Sequence, residues 1–171
     1  VSRAHEGTRR ELHAQKETGP VHECVGGGVE INPWNHPLLM AAGKVAPALA
    51  DGNCTGLKPA EETPASILWF MQLIGDLLPA GVVNVVNGLG EEAGQALASS
   101  DRIAKIAFTG STPVGQHILR RSVERLIPST VEVGGDLPTI YFASILPNED
   151  DYLSKFVECL VLDFYNRAGV L

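Results

Sequence analysis

From residue 21 onward, short apolar segments alternate with segments of helical spacing, and this alternation restricts the fold more than any other feature. The predicted strands are GGVEI (27–31), CTGLK (54–58), VVNVV (82–86), IAKIAF (103–108), STVEV (129–133) and TIYFA (139–143). The predicted helices cover 36–49, 63–78, 91–99, 113–126 and 150–166. Because loops of a few residues join them, the sequence predicts an α/β, Rossmann-like domain with a mainly parallel sheet and helices on both faces.

Several residues predict where individual elements begin and end. Pro47 lies inside the first helical segment and is expected to end or kink it. Thr63 followed by Pro64 predicts a helix start with a threonine cap and proline at the first position. Cys54 opens a strand that is predicted to be buried, where a cysteine acts as a small hydrophobic residue.

The overall composition excludes several classes of protein. A net charge of −7 argues against a general nucleic-acid binder. The most apolar stretch, SILWFMQLIGDLLPAG, is too short for a bilayer span of about 20 residues and contains polar breaks, so no membrane partner is expected. Three widely spaced cysteines and a polar N-terminus without a signal-like apolar segment predict a cytoplasmic or organellar protein. No metal site is predicted, because the adjacent residues 22–24 (His-Glu-Cys) do not converge as ligands.

The segment KIAFTGSTPVGQHIL (105–119) places small residues where a strand leads into a helix. Ser111 and Thr112 are suited to capping the helix, and the free N–H groups of its first turn favour a phosphate. Gly110 is expected to permit the turn, and Gly115 to let the helix pack closely on a strand. The segment fits neither G-x-G-x-x-G nor the P-loop, so a plain tight turn remains the alternative.

Several ordered motifs resemble the NAD(P)-dependent aldehyde dehydrogenase superfamily, and within it bacterial-type acetaldehyde and medium-chain aldehyde dehydrogenases. They are INPWNHPLLMAAGKVAPALADGNCTGLKPAEETP, PAEETPASIL, DLLP, GVVNVVNG, FTGSTPVG and VEVGGDLPTIYF. The resemblance runs from about residue 26 to the end. It implies that 21–171 is the NAD-binding domain and that the catalytic domain is absent. Residues 1–20 are charged and contain little that is apolar, and this composition predicts a polar tail or linker. Family members form homo-oligomers, so a homo-oligomer is expected in the full-length relative.

The resemblance also assigns cofactor-binding residues. Lys58 reaches the adenosine ribose, and Glu61 binds its hydroxyls and should repel the 2′-phosphate of NADP, so NAD is the expected cofactor. Without the family, Lys58 is a solvated charge at a strand end and Glu61 a first-turn helix acid. Ser111 contacts the diphosphate. The remaining residues expected to line or shape the cleft are Trp34, Phe108, Gly110, Val114, Gly115 and Val133.

The catalytic residues implied by the family are incomplete in this sequence. Asn35 corresponds to the amide that donates to the developing oxyanion, and Glu132 to the general base that activates water. The nucleophilic cysteine position falls on Leu171, and a leucine cannot form a thioester. The resemblance therefore implies NAD+-dependent oxidation of an aldehyde to a carboxylic acid in the full-length relative, with this chain inactive alone. The alternatives are a non-catalytic NAD-binding module (a pseudoenzyme) and a non-functional remnant.

Overall fold

A five-stranded parallel sheet forms the centre of the protein. The computed structural model describes residues 24–134 and 150–166. The strands are β1 (Gly27–Ile31), β2 (Cys54–Lys58), β3 (Val83–Val85), β4 (Lys105–Gly110) and β5 (Ser129–Val133). Their order across the sheet is β3-β2-β1-β4-β5, and each neighbouring pair is parallel. The predicted α/β class with a mainly parallel sheet is confirmed.

Helices connect the strands. They are α1 (Pro37–Ala50), α2 (Ala65–Ile74), α3 (Gln95–Ser99) and α4 (Thr112–Arg125), while α5 (Asp150–Asn166) comes after the last described strand. A 3₁₀ turn, Gly75–Leu77, follows α2, and a π-helical turn, Gly90–Gly94, precedes α3. From β1 the chain first moves across the sheet towards β3 and later, from β4, the opposite way. Since such crossovers are right-handed, α1 and α4 lie on opposite faces.

Two hydrophobic clusters fill the space between the sheet and these helices. The first joins Val29, Ile106 and Phe108 of the sheet to Ala98 of α3 and Ile118 of α4. The second consists of Ala41 and Val45 of α1, Leu57 of β2 and Ile67 of α2. Each cluster lies against one face of the sheet, so the central strands are covered on both sides.

Helix α1 continues past its proline, so of the two expected effects of Pro47 the end of the helix is wrong, and the kink stays a prediction. Pro47 removes one backbone donor in the last turn of a 14-residue helix, and its own carbonyl still accepts the Asp51 N–H at 3.1 Å. The helix ends instead at Ala50. Gly52 then adopts a positive φ of 77°, a conformation that glycine adopts without strain.

Thr63 does not cap α2. Its hydroxyl donates to the Trp34 carbonyl at 3.0 Å, and the helix begins at Ala65 without a side-chain cap. The predicted helical stretch 63–78 is therefore divided into α2 and the 3₁₀ turn. Cys54 is exposed rather than buried, because it begins β2 at the strand's open end.

The chain divides into two compact units, Val1–Val133 and Gly134–Leu171. The first contains the sheet, and in the second the structure describes α5, whose predicted bounds are confirmed. The predicted strand at 139–143, the tail at 1–20 and Leu171 lie outside the described residues. Among the described helices, none is long and apolar enough to cross a membrane.

Candidate nucleotide-binding site

The carboxyl ends of four strands meet at one edge of the sheet. Ile31 of β1 is in register with Lys58 of β2 and with Phe108 of β4, and Gly110 of β4 with Val133 of β5. The strand order reverses between β1 and β4. In open α/β sheets a crevice forms at such a reversal, and ligands bind there.

The segment after β1, residues 32–36, is held against β2 and against the segment that precedes α2. The Asn32 N–H donates to the Lys58 carbonyl at 3.0 Å, and the Thr63 hydroxyl fixes the Trp34 carbonyl. Trp34 keeps 42% of its surface exposed, whereas Asn35 is half-buried. This segment therefore presents an indole and an amide beside the crevice.

Lys58 and Glu61 form an ion pair at the end of β2. The Lys58 Nζ lies 3.2 Å from the Glu61 Oε2 and also donates to the Pro59 carbonyl at 3.1 Å. Lys58 is only 2% exposed, and Gly94 packs against its aliphatic stem. The ammonium is thus held at the strand end instead of extending into solvent.

The Glu61 carboxyl favours its ionised form. Its pKa lies below the ordinary value, chiefly because its own backbone N–H donates to it. The Lys58 ammonium and the Gly90 N–H act in the same direction, against a desolvation effect that raises the pKa. A carboxylate is therefore fixed between β2 and the turn that begins at Gly90.

Ser111 is the residue before α4, and its side chain makes no capping hydrogen bond. It is exposed, and the first intrahelical bond runs from the Gly115 N–H to its carbonyl at 2.9 Å. The N–H groups of Thr112 and Val114 consequently have no intrahelical acceptor, because they belong to the first turn. This end of a 14-residue helix carries the positive end of the helix dipole.

Neighbouring side chains leave too little space for a Cβ at Gly110 or at Gly115. A Cβ on Gly110 would lie 2.7 Å from the Cζ of Phe108, whose ring is buried. Gly110 belongs to β4 and has no positive φ, so the expectation that it permits the turn through its conformation is wrong. A Cβ on Gly115 would lie 2.6 Å from Val133, which confirms the predicted close packing of helix on strand.

Glu132 and Val133 end β5. Glu132 is exposed and accepts a long hydrogen bond, 3.4 Å, from the Thr109 hydroxyl. Val133 and Val114 are about half exposed on either side of Gly115. All the predicted site residues except Leu171 are therefore described, and they lie on or directly after β1, β2, β4 and β5.

A buried cluster on the α1 side of the sheet was missed by the sequence analysis. Glu30 of β1 is 4% exposed and accepts a hydrogen bond from the Thr55 hydroxyl at 3.1 Å. Lys44 of α1 donates to the Ile31 carbonyl at 3.1 Å. Both side chains line a cavity of about 490 Å³ that also contains Glu132. A charged residue within a central strand was the available signal.

Burial shifts the pKa values of Glu30 and Lys44. Desolvation raises the pKa of Glu30 to about 7, although the Thr55 hydroxyl and then the Lys44 ammonium oppose it. Desolvation lowers the pKa of Lys44 to about 8, although the carboxylates of Glu30 and Glu132 oppose it.

Within residues 24–134 and 150–166, no group of three His, Cys, Asp or Glu residues is placed to hold a metal ion.

Comparison with known proteins gives one consistent family. The sequence matches the aldehyde dehydrogenase family over residues 2–169. An acetaldehyde dehydrogenase from Pseudomonas aeruginosa is 57% identical over 168 residues, 98% of this chain and 33% of that protein. An aldehyde dehydrogenase from Vibrio cholerae serotype O1 is 55% identical, with the same two coverages. The chain thus spans about a third of the length of these curated relatives.

The fold is also similar to that of a solved relative. The NAD+ complex of an aldehyde dehydrogenase from Bacillus cereus superposes with a TM-score of 0.69 at 46% identity, covering 71% of this chain and 25% of that chain. The parallel sheet and its carboxyl-edge site define the class of Rossmann-like α/β proteins. Within that class, the chain belongs to the aldehyde dehydrogenase family.

Proposed function

We propose that this chain is the NAD-binding part of an enzyme that oxidises an aldehyde to a carboxylic acid. The observation that carries the proposal is the convergence of three features on the crevice between β1 and β4. These are the loop 32–36, the Lys58–Glu61 pair and the uncapped start of α4. The Bacillus cereus relative, solved with NAD+, supports the choice of cofactor.

The residues present fit a dinucleotide. The Ser111 hydroxyl and the first-turn N–H groups of α4 are donors for a diphosphate, and the dipole of α4 favours its negative charge. The Glu61 carboxylate is an acceptor for ribose hydroxyls, and Lys58 is a donor beside it. Trp34, Val114 and Val133 supply exposed apolar surface at the same edge, whereas Phe108 is buried and can only shape the cleft from below.

NAD is proposed over NADP because of the charge on Glu61. A 2′-phosphate at the ribose would bring two negative groups together. The low pKa of Glu61 keeps the carboxyl ionised at neutral pH, so the repulsion persists. Lys58 is already paired with Glu61 and is buried, which limits its capacity to neutralise a further phosphate.

Two residues of this chain would take part in the chemistry. When bound, the nicotinamide accepts a hydride from the substrate carbon. Asn35 donates its amide to the substrate oxygen as negative charge develops there, an interaction worth about 3 kcal/mol in comparable sites. Glu132 accepts a proton from the attacking water, and its exposure next to the cavity leaves room for that water.

We assign no thiol of this chain to the nucleophile position. We propose that Leu171 stands at the position of the family's cysteine, and that the chain therefore binds NAD but does not turn over aldehyde alone. This favours a non-catalytic NAD-binding module as the second candidate function. A homo-oligomer and a cytoplasmic location stay predictions.

Binding of NAD+ to the full chain, measured by calorimetry, tests the proposal. We expect saturable binding that is lost in Ser111→Asp, because an added carboxylate repels the diphosphate. Gln116→Glu is the control, since it adds the same charge to an exposed position one turn further along α4. Absence of binding by the unmodified, folded chain, or equal binding by Ser111→Asp, contradicts the proposal.

Formation of NADH separates the two candidate functions. With acetaldehyde and NAD+, the module predicts an unchanged absorbance at 340 nm. Turnover that disappears in Glu132→Ala would instead assign the complete activity to this chain and refute the role given to Leu171.

A further inference from the structure

The buried carboxyl of Glu30 has no role in the proposed cofactor site, yet it is built into the central strand. One oxygen accepts the Thr55 hydroxyl, and the other, Oε2, has no hydrogen-bond partner in the part of the chain that is described. Leaving such an atom buried and unpaired costs free energy. A buried polar group that stays unpaired needs an explanation, and electrostatic attraction to a nearby charge is one.

Glu30 and Glu132 lie on the same face of the sheet. Glu30 is in register with Ala107, and Ala107 with Thr130, two residues before Glu132. Two strand spacings of about 4.8 Å therefore separate β1 from β5. Glu30 and Glu132 both line one cavity, and β4 between them contributes Ala107, which is in register with Glu30, and Thr109, whose hydroxyl donates to Glu132.

Lys44 of α1 brings a positive charge into this cavity. Its Nζ binds the Ile31 carbonyl, which leaves further N–H groups for the cavity. The side chain interacts electrostatically with both Glu30 and Glu132. The other charged residues that line the cavity are Asp51, directly after α1, and Lys105 of β4. Asn53, just before β2, and Thr55 of β2 line it as well.

We propose that Glu30 is a positioning residue: it keeps Lys44 charged and held at the end of β1, facing the general base Glu132. This inference rests on the proposed function for the role of Glu132. Glu30 provides the negative charge that offsets the burial of the ammonium, and Thr55 orients that carboxylate. Without Glu30, Lys44 loses its proton at a lower pH, and Glu132 then faces a neutral amine.

The titration of Lys44 in the full chain tests the inference. The ε-methylene carbon is followed by NMR from pH 5 to pH 10 and is assigned with Lys44→Arg. In the unmodified chain we expect a midpoint near 8 and an earlier inflection near 7, when Glu30 ionises. Glu30→Gln should remove the inflection and lower the midpoint by about one pKa unit. Glu62→Gln, an exposed glutamate on the segment after β2, should change neither.

A second variant covers the case in which Glu30→Gln does not fold. Thr55→Val keeps the shape of the side chain but removes the donor to Glu30, so the inflection should move to higher pH. A Lys44 titration with one step, or one that Glu30→Gln leaves unchanged, overturns the inference. Calorimetry with NAD+ is independent of this result, so failure of the proposed function and failure of this inference are distinguishable.

Discussion

The Nζ of Lys58 and the Oε2 of Glu61 lie 3.2 Å apart at the carboxyl end of β2. The pair spans the end of a central strand and the segment that leads into α2. Its lysine is buried, and its carboxylate is partly exposed towards the turn at Gly90. This arrangement leaves one negative charge available to a ligand at the crevice.

Replacing Glu61 should weaken the discrimination between the two dinucleotides. Glu61→Gln removes the charge that repels a 2′-phosphate and leaves Lys58 without its ion-pair partner. We expect the ratio of NAD+ to NADP+ affinity to fall by about tenfold, which corresponds to about 1.4 kcal/mol. Calorimetry with both dinucleotides measures the ratio, and Glu62→Gln should leave it unchanged. An unaltered ratio in Glu61→Gln would rule out this role.

Adding a methyl group to Gly110 should destabilise the fold. In Gly110→Ala, the new Cβ meets the buried ring of Phe108, so we expect the free energy of unfolding to fall by about 1–3 kcal/mol. Gly43→Ala is the matched control, because no atom lies within 4 Å of its Cβ and the site is inside α1. The free energy of unfolding of Gly43→Ala should rise by up to about 1 kcal/mol. Urea unfolding measures both, and equal stability of the two variants would contradict the packing argument.

The stability of the chain should depend on pH through Glu30. Its pKa rises from 4.5 in the unfolded chain to about 7 in the fold, so the folded state binds the proton more tightly. The stabilising contribution is complete below pH 4.5 and is lost as pH rises through 7. Relative to Glu30→Gln, the free energy of unfolding of the unmodified chain should fall by up to about 3 kcal/mol over this pH range. Parallel pH profiles of urea unfolding that do not diverge would show that Glu30 titrates normally.

Asn53 should contribute more to stability than an exposed asparagine. Its Oδ1 accepts from the N–H groups of Val25 and Gly26, and its Nδ2 donates to Ala48. Asn53→Ala should cost about 1 kcal/mol because it removes three partly buried hydrogen bonds between its side chain and the backbone. Asn84→Ala removes one exposed bond and should cost less. Hydrogen exchange of the Val25 and Gly26 amides provides the local measurement: these amides should lose protection in Asn53→Ala alone.

Most strands could be predicted from the sequence because the signals that define them are local. GGVEI and STVEV were predicted with their observed bounds, since glycine or proline and short apolar runs mark their ends. The bond from the Thr63 hydroxyl to the Trp34 carbonyl is a tertiary contact, and residues 29 positions apart give no local signal for it. Pro47 does not end α1 because it lies in the last turn of the helix.

The candidate site could be predicted only in part. The start of α4 was predicted from Ser111 and the residues after it, because a helix start has a sequence signature. The cluster of Glu30, Lys44 and Thr55 was missed, since its members come from three elements and a single glutamate in a strand resembles a solvated one. The role of Gly110 was misread because the Phe108 ring that requires it lies two residues away on the same strand face.

Backbone amide NMR during a titration with NAD+ tests the central claim most directly, namely that the start of α4 binds the diphosphate. The account predicts saturable shifts of the Thr112 and Val114 amide signals, larger than those of amides in the last turn of α4. If NAD+ binds while those two signals stay in place, or if no signal moves at saturating NAD+, the claim is wrong.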